Sequence, residues 1–571
     1  MRKARKALSE IRPYRMAEFS RKDKVRLDLN ESTMGCSPKV METIRKLSPQ
    51  DISAYPEQAT LKESIARYVG LLPENIALTN GADEGIRSIM NAYLEKGDEV
   101  VEPVPTFSVF ELFAKVNDAR VVQVPYNDDL SFPLEGLLSA ISPNTKLVVI
   151  VNPNSPTGNS IGREDIIKVL DTAKDSMVIL DETYHHFAKM SHAALVKEHD
   201  NLMVLQTFSK AFGLAGLRTG YVISARQNIE DLQKVLPPFP VNSIATQACV
   251  TALEDLAFVD MVVAGVDREK RFMVDAYGAL GLEAPMTDTN FLLVRFGGNA
   301  DMAQRALLAK GILVKNLGDS PHVKGCLRIA IGRHEENIAL VEALREILPP
   351  EAVIFDMDGV LVDVSPSYRM TMKLAAEHFI GKEVTMEEIE GYKLKGGYNN
   401  DWDLTEAMVL ARGKKVPKAE IVRKFQEIYV GKCYDGLISK ERLLVSPDVL
   451  ERLRDRFKLA IVTGRPRDEA EHTLRKFKIR DMFGSVVALE DVKGREKPDP
   501  HGIQMSMKAL GVKRAVYLGD NIDDIKAAKA AGIVPIGVIF GKDVEGIKRK
   551  FAALGAKEIL MSVNDIVEVL K

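Results

Sequence analysis

Two kinds of segment alternate along the chain. Short apolar runs such as KLVVIVNP (146–153), MVILDETY (177–184), AVIFDMDG (352–359), LAIVTGR (459–465) and AVYLGDN (515–521) are separated by longer segments of helical character. Runs that are apolar on consecutive positions suit strands buried on both faces, so the pattern predicts an α/β chain with parallel sheets covered by helices. Ligands of such sheets bind beyond the carboxyl ends of the strands, and each run turns polar at that end. One helical stretch, EENIALVEALREIL (335–348), stops against Pro349-Pro350, which cannot continue it, and a new apolar strand follows. The expected division is therefore residues 1–348 and 351–571. Within the second part, the helical pattern over residues 366–446 reads as an inserted cap, able to close over a substrate.

Composition narrows the class. The chain of 571 residues is 46% hydrophobic and 28% charged, with net charge −2. That composition is globular, and the near-neutral balance gives no electrostatic footprint for nucleic acid or an anionic membrane. No uncharged apolar run is long enough to cross a bilayer. The basic opening residues 1–14 lead into no apolar core, so no secretory signal is read there. Four scattered cysteines form no Cys-x-x-Cys pair, which indicates neither a zinc site nor a disulfide framework. The expected compartment is the reducing cytoplasm.

The first chemical constellation centres on TFSKAFGLAGLRTGY (207–221). Lys210, flanked by a serine, glycines and an arginine, suits imine formation with an aldehyde cofactor, while Ser209 and Arg218 suit a phosphate dianion. Asp181 ends a buried strand, where a carboxylate could pair with a protonated pyridine nitrogen. NGADEGI (80–86) opens a helix whose first amides and dipole favour phosphate. Phe107 offers a flat face for stacking, NPNSPTG (152–158) forms a polar turn, and Tyr184 follows Asp181 by three residues.

These segments, with LDLNESTMGCSP (27–38), Tyr55-Pro56, PTF (105–107), NFLLVR (290–295) and CLRIAIGRHEEN (326–337), stand in the order found in fold-type I aminotransferases. Over roughly residues 25–348 the chain resembles the histidinol-phosphate aminotransferase family. The resemblance implies a pyridoxal phosphate enzyme with a large and a small domain. It makes Lys210 the Schiff-base lysine and proton shuttle, with Asp181 on the ring nitrogen and Tyr184 on the phenolic oxygen. Ala82, Asp83, Thr207, Ser209 and Arg218 would surround the cofactor phosphate, and Tyr55 would reach it from a second subunit, implying a homodimer. Arg328 would hold the acidic group of each substrate in turn, because a guanidinium can bind carboxylate or phosphate bidentately. Two positions depart from the family. Ser155 replaces an asparagine that bonds the phenolic oxygen, leaving either Asn154 or Ser155 for that contact. Phe107 replaces a tyrosine, which keeps stacking and loses a hydroxyl.

The second constellation begins where a strand runs into Asp356-Met357-Asp358-Gly359. Two carboxylates spaced by one residue can serve as nucleophile and as acid/base. Thr463 ends the next strand as a phosphate donor, Lys497 can neutralise developing charge, and Asp520 and Asp524 supply oxygen ligands that suit magnesium. Over residues 352–571 this set resembles the haloacid dehalogenase superfamily, which implies a Rossmann-like core. In it Asp356 becomes the aspartyl phosphate, Asp358 is the acid/base, and Thr463 and Lys497 bind the phosphoryl group. Magnesium would sit among Asp356, the Asp358 backbone carbonyl and Asp520, with Asp524 near. The motifs do not separate phosphatase from mutase or dehalogenase, and the cysteine-rich zinc loop of typical histidinol phosphatases in this superfamily is missing.

The two resemblances together imply a bifunctional enzyme of histidine biosynthesis. Glutamate and a phosphorylated imidazole ketone would give histidinol phosphate, which the second half would hydrolyse. The alternatives are another aminotransferase joined to a phosphatase of different or broad specificity, or a phosphatase-like regulatory module. In the cap, Asp401 and Trp402 follow Gly396-Gly397, a pairing that suits an ammonium and an imidazole. Against that stands a helix-start reading, with Asp403 as N-cap and Trp402 packed beneath.

Overall fold

A computed structural model describes residues 7–8, 11, 20–318, 320, 322–393, 401–539 and 544–570. Most of the basic opening stretch and the Gly396-Gly397 pair lie outside them. The chain forms two compact units that divide between Leu344 and Arg345. Among the described residues, no helix is long and apolar enough to cross a membrane.

The first unit opens with β1 (Val25–Leu27) and β2 (Ile76–Thr79). It continues through β3 (Glu99–Val104), β4 (Arg120–Pro125), β5 (Thr145–Val151), β6 (Met177–Asp181), β7 (Leu202–Thr207) and β8 (Gly220–Ser224). Seven of these make one sheet in the order β2-β8-β7-β6-β5-β3-β4. Val149, Ile179 and Met203 lie in successive paired positions across β5, β6 and β7, all buried, as consecutive apolar residues require. Strand β8 corrects the all-parallel expectation, because it runs antiparallel to both neighbours. The link from β7, residues 208–219, contains no crossover helix, only one short 3-10 turn at Ala215–Leu217. The chain therefore returns beside the strand it left.

Helix α1 (Gly81–Tyr93) follows β2 and buries Ile86, Ile89 and Met90 on the sheet. A second, mixed sheet holds β1 with β9 (Phe291–Arg295), β10 (Ile312–Asn316) and β11 (Cys326–Ala330), in the order β1-β10-β11-β9.

The second unit has a parallel sheet. Its strands are β12 (Ala352–Phe355), β15 (Lys458–Val462), β16 (Ser485–Val487), β17 (Ala515–Gly519), β18 (Val534–Val538) and β19 (Glu558–Leu560), in the order β16-β15-β12-β17-β18-β19. The first strand in sequence lies in the middle, so chain connections leave it in both directions. Its carboxyl end is the switch point where α/β sheets bind ligands. Short strands β13 (Val362–Asp363) and β14 (Arg442–Leu443) pair antiparallel. The helical insertion between them carries α2 (Met370–Ile380), α3 (Met386–Lys393), α4 (Asp401–Ala411) and α5 (Lys418–Tyr429), packed through Met372, Ala376, Leu404, Met408, Phe425 and Tyr429.

Candidate active sites

In the first unit the polar strand ends converge. Asp181 closes β6, is buried, and accepts a hydrogen bond from the Thr183 amide at 2.9 Å. Burial pushes its carboxyl up to about 6, against the pull of that bond. Lys210 lies in the β7–β8 link. Its Nζ donates to the Leu29 carbonyl at 3.0 Å and sits 5.7 Å from the Tyr184 ring centre. The Tyr184 hydroxyl accepts from Asn30 Nδ2 at 2.8 Å, and the ring meets Phe291 edge-on. Thr207 and Ser209 share a hydroxyl hydrogen bond at 3.0 Å.

Arg218 adopts a left-handed backbone, φ 54°, and its Nη2 donates to Asp83 at 3.0 Å beside the start of α1. A Cβ on Gly81 would overlap that guanidinium, so glycine is what admits an arginine to the helix N-terminus. Ala82 lies in the same first turn. Phe107 packs edge-on against Phe110.

Arg328 on β11 donates from Nη1 to Ser155 Oγ at 2.9 Å and from Nη2 to the Asp28 carbonyl at 3.0 Å. Its guanidinium carbon lies 5.5 Å from the Phe291 ring centre. Ser155 is thus tied to the arginine. Asn154 braces its own loop, donating to the Pro105 carbonyl and Thr157 and accepting from Thr106. Tyr55 stands apart from these residues: it is 78% exposed and stacks on Phe239 at 4.5 Å.

Sequence reasoning missed Asn30 and Asn290. Asn290 Nδ2 donates to the Asn30 carbonyl at 3.1 Å, and the pair is buried under Tyr184. Both sit inside segments that carried the resemblance, yet neither has a chemistry that singles it out. The buried Arg328 Nε and Asn30 Oδ1 have no hydrogen-bond partner within the chain as described. Polar atoms left so, a phosphate cradle at α1 and a buried carboxylate without a cationic partner among the described residues fit pyridoxal phosphate and an anionic substrate.

In the second unit Asp356 follows β12, Thr463 follows β15 and Asp520 follows β17, so three predicted residues meet at the switch point. Lys497 Nζ lies 3.0 Å from Asp356 and 2.6 Å from Asp524, and donates to the Tyr517 hydroxyl at 3.1 Å. Asp524 also accepts from the amide of Asp520 at 3.1 Å. Carboxylate oxygens of Asp356, Asp520 and Asp524 all lie within 4.8 Å of one another. Burial raises the Asp356 carboxyl and the other aspartates add to that, while Lys497 opposes it. Three hard oxygen donors at this spacing fit magnesium. A Cβ on Gly359, at φ 75°, would overlap Asp520, which explains the glycine after the two aspartates.

The Asp358 carboxylate lies outside that cluster. It accepts from Arg465 Nε at 2.5 Å. Arg465 is fully buried. Its Nη1 donates to Tyr429, Glu441 and Thr473 at 3.1–3.2 Å, and its guanidinium carbon lies 5.0 Å from the Tyr368 ring centre. Glu441 accepts further from Ser367, Tyr429 and Thr473, and Tyr368 donates to Glu469. None of Arg465, Glu441, Tyr429 or Tyr368 stood out in the sequence beyond the Thr-Gly-Arg turn.

Asp401 and Trp402, at the start of α4, line the cavity that also holds Asp356, Asp358 and Thr463. The N-cap reading of Asp403 is corrected: it lies inside the first turn of α4 and pairs with Lys418 of α5.

The family model for aminotransferase class I and II matches residues 22–344, and that for haloacid dehalogenase-like hydrolase matches residues 350–532. A histidinol-phosphate aminotransferase of Thermococcus gammatolerans is 35% identical over 350 residues, 61% of this chain and 98% of its own length. One from Methanococcoides burtonii is 36% identical, over 57% of this chain and 90% of its own. Among solved structures, histidinol-phosphate aminotransferase from Sinorhizobium meliloti in complex with pyridoxal-5'-phosphate is similar at TM-score 0.54 and 29% identity, covering 57% of this chain and 91% of that one.

Proposed function

We propose that this chain, which belongs to the class I and II aminotransferase family and carries a haloacid dehalogenase-like hydrolase domain behind it, makes histidinol phosphate and then removes its phosphate. One conjunction carries the reading. The first unit resembles histidinol-phosphate aminotransferases along 98% of such a relative, and the second holds a carboxylate cluster suited to phosphomonoesters.

In the first half, bound pyridoxal phosphate supplies the electron sink for amino transfer. Lys210 would hold the aldehyde end of the cofactor and would move the proton on the substrate carbon. Asp181 would hold the ring nitrogen, and Tyr184, oriented by Asn30, would hold the phenolic oxygen. Ser209, Thr207, Arg218 and the first amides of α1, at Ala82 and Asp83, cradle the phosphate. Arg328 takes the carboxylate of glutamate in one half-reaction and the phosphate of imidazole-acetol phosphate in the other. Its buried Nε, without a hydrogen-bond partner among the described residues, supports that exchange. Tyr55, exposed in one subunit, completes the site of a second in a homodimer.

In the second half, magnesium supplies charge neutralisation where Asp356, Asp520, Asp524 and the Asp358 carbonyl would hold it. An Asp356 oxygen attacks phosphorus as the ester P–O bond breaks. Asp358 gives its proton to the departing oxygen, then takes one from the water that releases inorganic phosphate. Thr463 and Lys497 hold the phosphoryl oxygens.

Supplying glutamate and imidazole-acetol phosphate to the magnesium- and pyridoxal-loaded protein should yield 2-oxoglutarate, histidinol and phosphate in equal amounts. Release of phosphate from histidinol phosphate no faster than from phosphoserine, phosphothreonine and glycerol phosphate would leave the second half a generalist.

A further inference from the structure

Arg465 is the only cation in contact with the carboxylate of Asp358 among the described residues, and the cap holds it in place. Its Nε and Nη2 both lie 2.5 Å from Asp358 Oδ1. Its Nη1 donates to Glu441 at 3.1 Å, to Tyr429 at 3.2 Å and to Thr473 at 3.2 Å, and Nη2 lies 3.0 Å from the other Glu441 oxygen. Tyr429 ends α5, and Glu441 stands at the return from the cap into β14. Tyr368, just ahead of α2, lies flat on Tyr429 with ring centres 4.1 Å apart. Both Arg465 and Glu441 are sealed from solvent, so neither can swing without uncovering a buried charge. A guanidinium that fans several fixed donors onto separate acceptors aims each of them, which an ammonium cannot do.

We infer that Arg465 is a positioning residue: clamped by Tyr429 and Glu441 of the cap, it fixes the Asp358 carboxyl at the angle from which it serves the leaving group. This rests on the reading of Asp358 as the proton donor. The proton then passes from Asp358 to the ester oxygen as the P–O bond breaks, and Arg465 itself exchanges none.

Leaving-group dependence reads this role. Nitrophenolate departs without a proton, whereas an alkoxide needs one. We therefore compare kcat/KM of the magnesium-loaded full chain on glycerol 2-phosphate and on p-nitrophenyl phosphate. Arg465→Lys should lower the ratio of the two by about a hundredfold, within the range a placed general acid supplies. Asp358→Asn should lower it at least as far. Glu441→Gln, which loosens the clamp without removing the arginine, should lower it by about tenfold, and it decides the matter if Arg465→Lys does not fold. A merely structural role would slow both esters alike. The inference is overturned if the ratio holds in the Arg465 and Glu441 variants while Asp358→Asn lowers it. A ratio unchanged in Asp358→Asn removes the proton donor, and the inference with it.

Discussion

On the proposed function, the two sites would handle phosphate with opposite charge. Around Lys210 the cations dominate: Lys210, Arg218 and Arg328 stand against Asp181 and Asp83, and all three cations donate to backbone carbonyls. Around Asp356 the anions dominate: Asp356, Asp358, Asp520, Asp524 and Glu441 share Lys497 and Arg465. The first site can take an anionic cofactor and substrate onto side chains directly. The second would need a divalent cation before a phosphate dianion is tolerable beside four aspartates. One phosphomonoester would thus be bound by guanidinium in one unit and through metal in the other, which suits holding it in the first and breaking it in the second.

Removing one centre at a time has the largest expected effect. Lys210→Ala should lower transamination by about 10⁴-fold and leave phosphate release unchanged, while Asp356→Asn should do the reverse. Parallel assays on each variant check this, and loss of both activities from either change would show the halves to be coupled.

A smaller effect concerns Asp181 in protein stripped of cofactor. Its carboxyl titrates at about 6 against an ordinary 3.8, so the folded state binds that proton more tightly than the unfolded one. Ionisation then opposes folding, fully above about pH 6 and not at all below about pH 4. The cost is about 2–3 kcal/mol. Urea titrations of Asp181→Asn should show that much added stability at pH 8 and none at pH 4.

Next in size, Arg328→Lys keeps the charge and loses the fork. It should raise KM for glutamate and for the phosphorylated ketone by about 10–100-fold, which steady-state kinetics on both substrates would read. Smallest is the cap. Trp402→Ala and Asp401→Ala should lower kcat/KM on histidinol phosphate by about 2–30-fold, the worth of a cation–π contact, and leave p-nitrophenyl phosphate untouched. Equal losses on both esters with a lower Tm would make the pair structural.

Both folds were legible because continuous apolar runs ending in Asp181, Asp356, Thr463 and Asp520 mark buried strands and where they stop. The direction of β8 was not. An antiparallel return depends on the length and helix content of residues 208–219, and its own apolar run reads the same either way. The Lys497–Asp356–Asp524 pairing follows from strand order once the fold is known. The Arg465 clamp does not, since Tyr429 and Glu441 come from a cap whose packing no motif encodes. Asp403 misled for a related reason: its partner Lys418 lies on the next helix, and local spacing sees only the same one. Asn30 stayed hidden because its job is to orient Tyr184, and orientation leaves no mark in residue type.

The ribbon of β13 and β14 brings the two ends of the cap together at Val362–Leu443 and Asp363–Arg442. An insertion whose ends already meet can change length at little cost to the rest, because loop closure grows only slowly with loop size. The cap is therefore a natural unit of exchange, through which a lineage or a designer could retarget the hydrolase. The transplant has a condition. Any replacement must bring its own equivalents of Tyr429 and Glu441, or Arg465 would be left as a buried charge beneath a foreign lid.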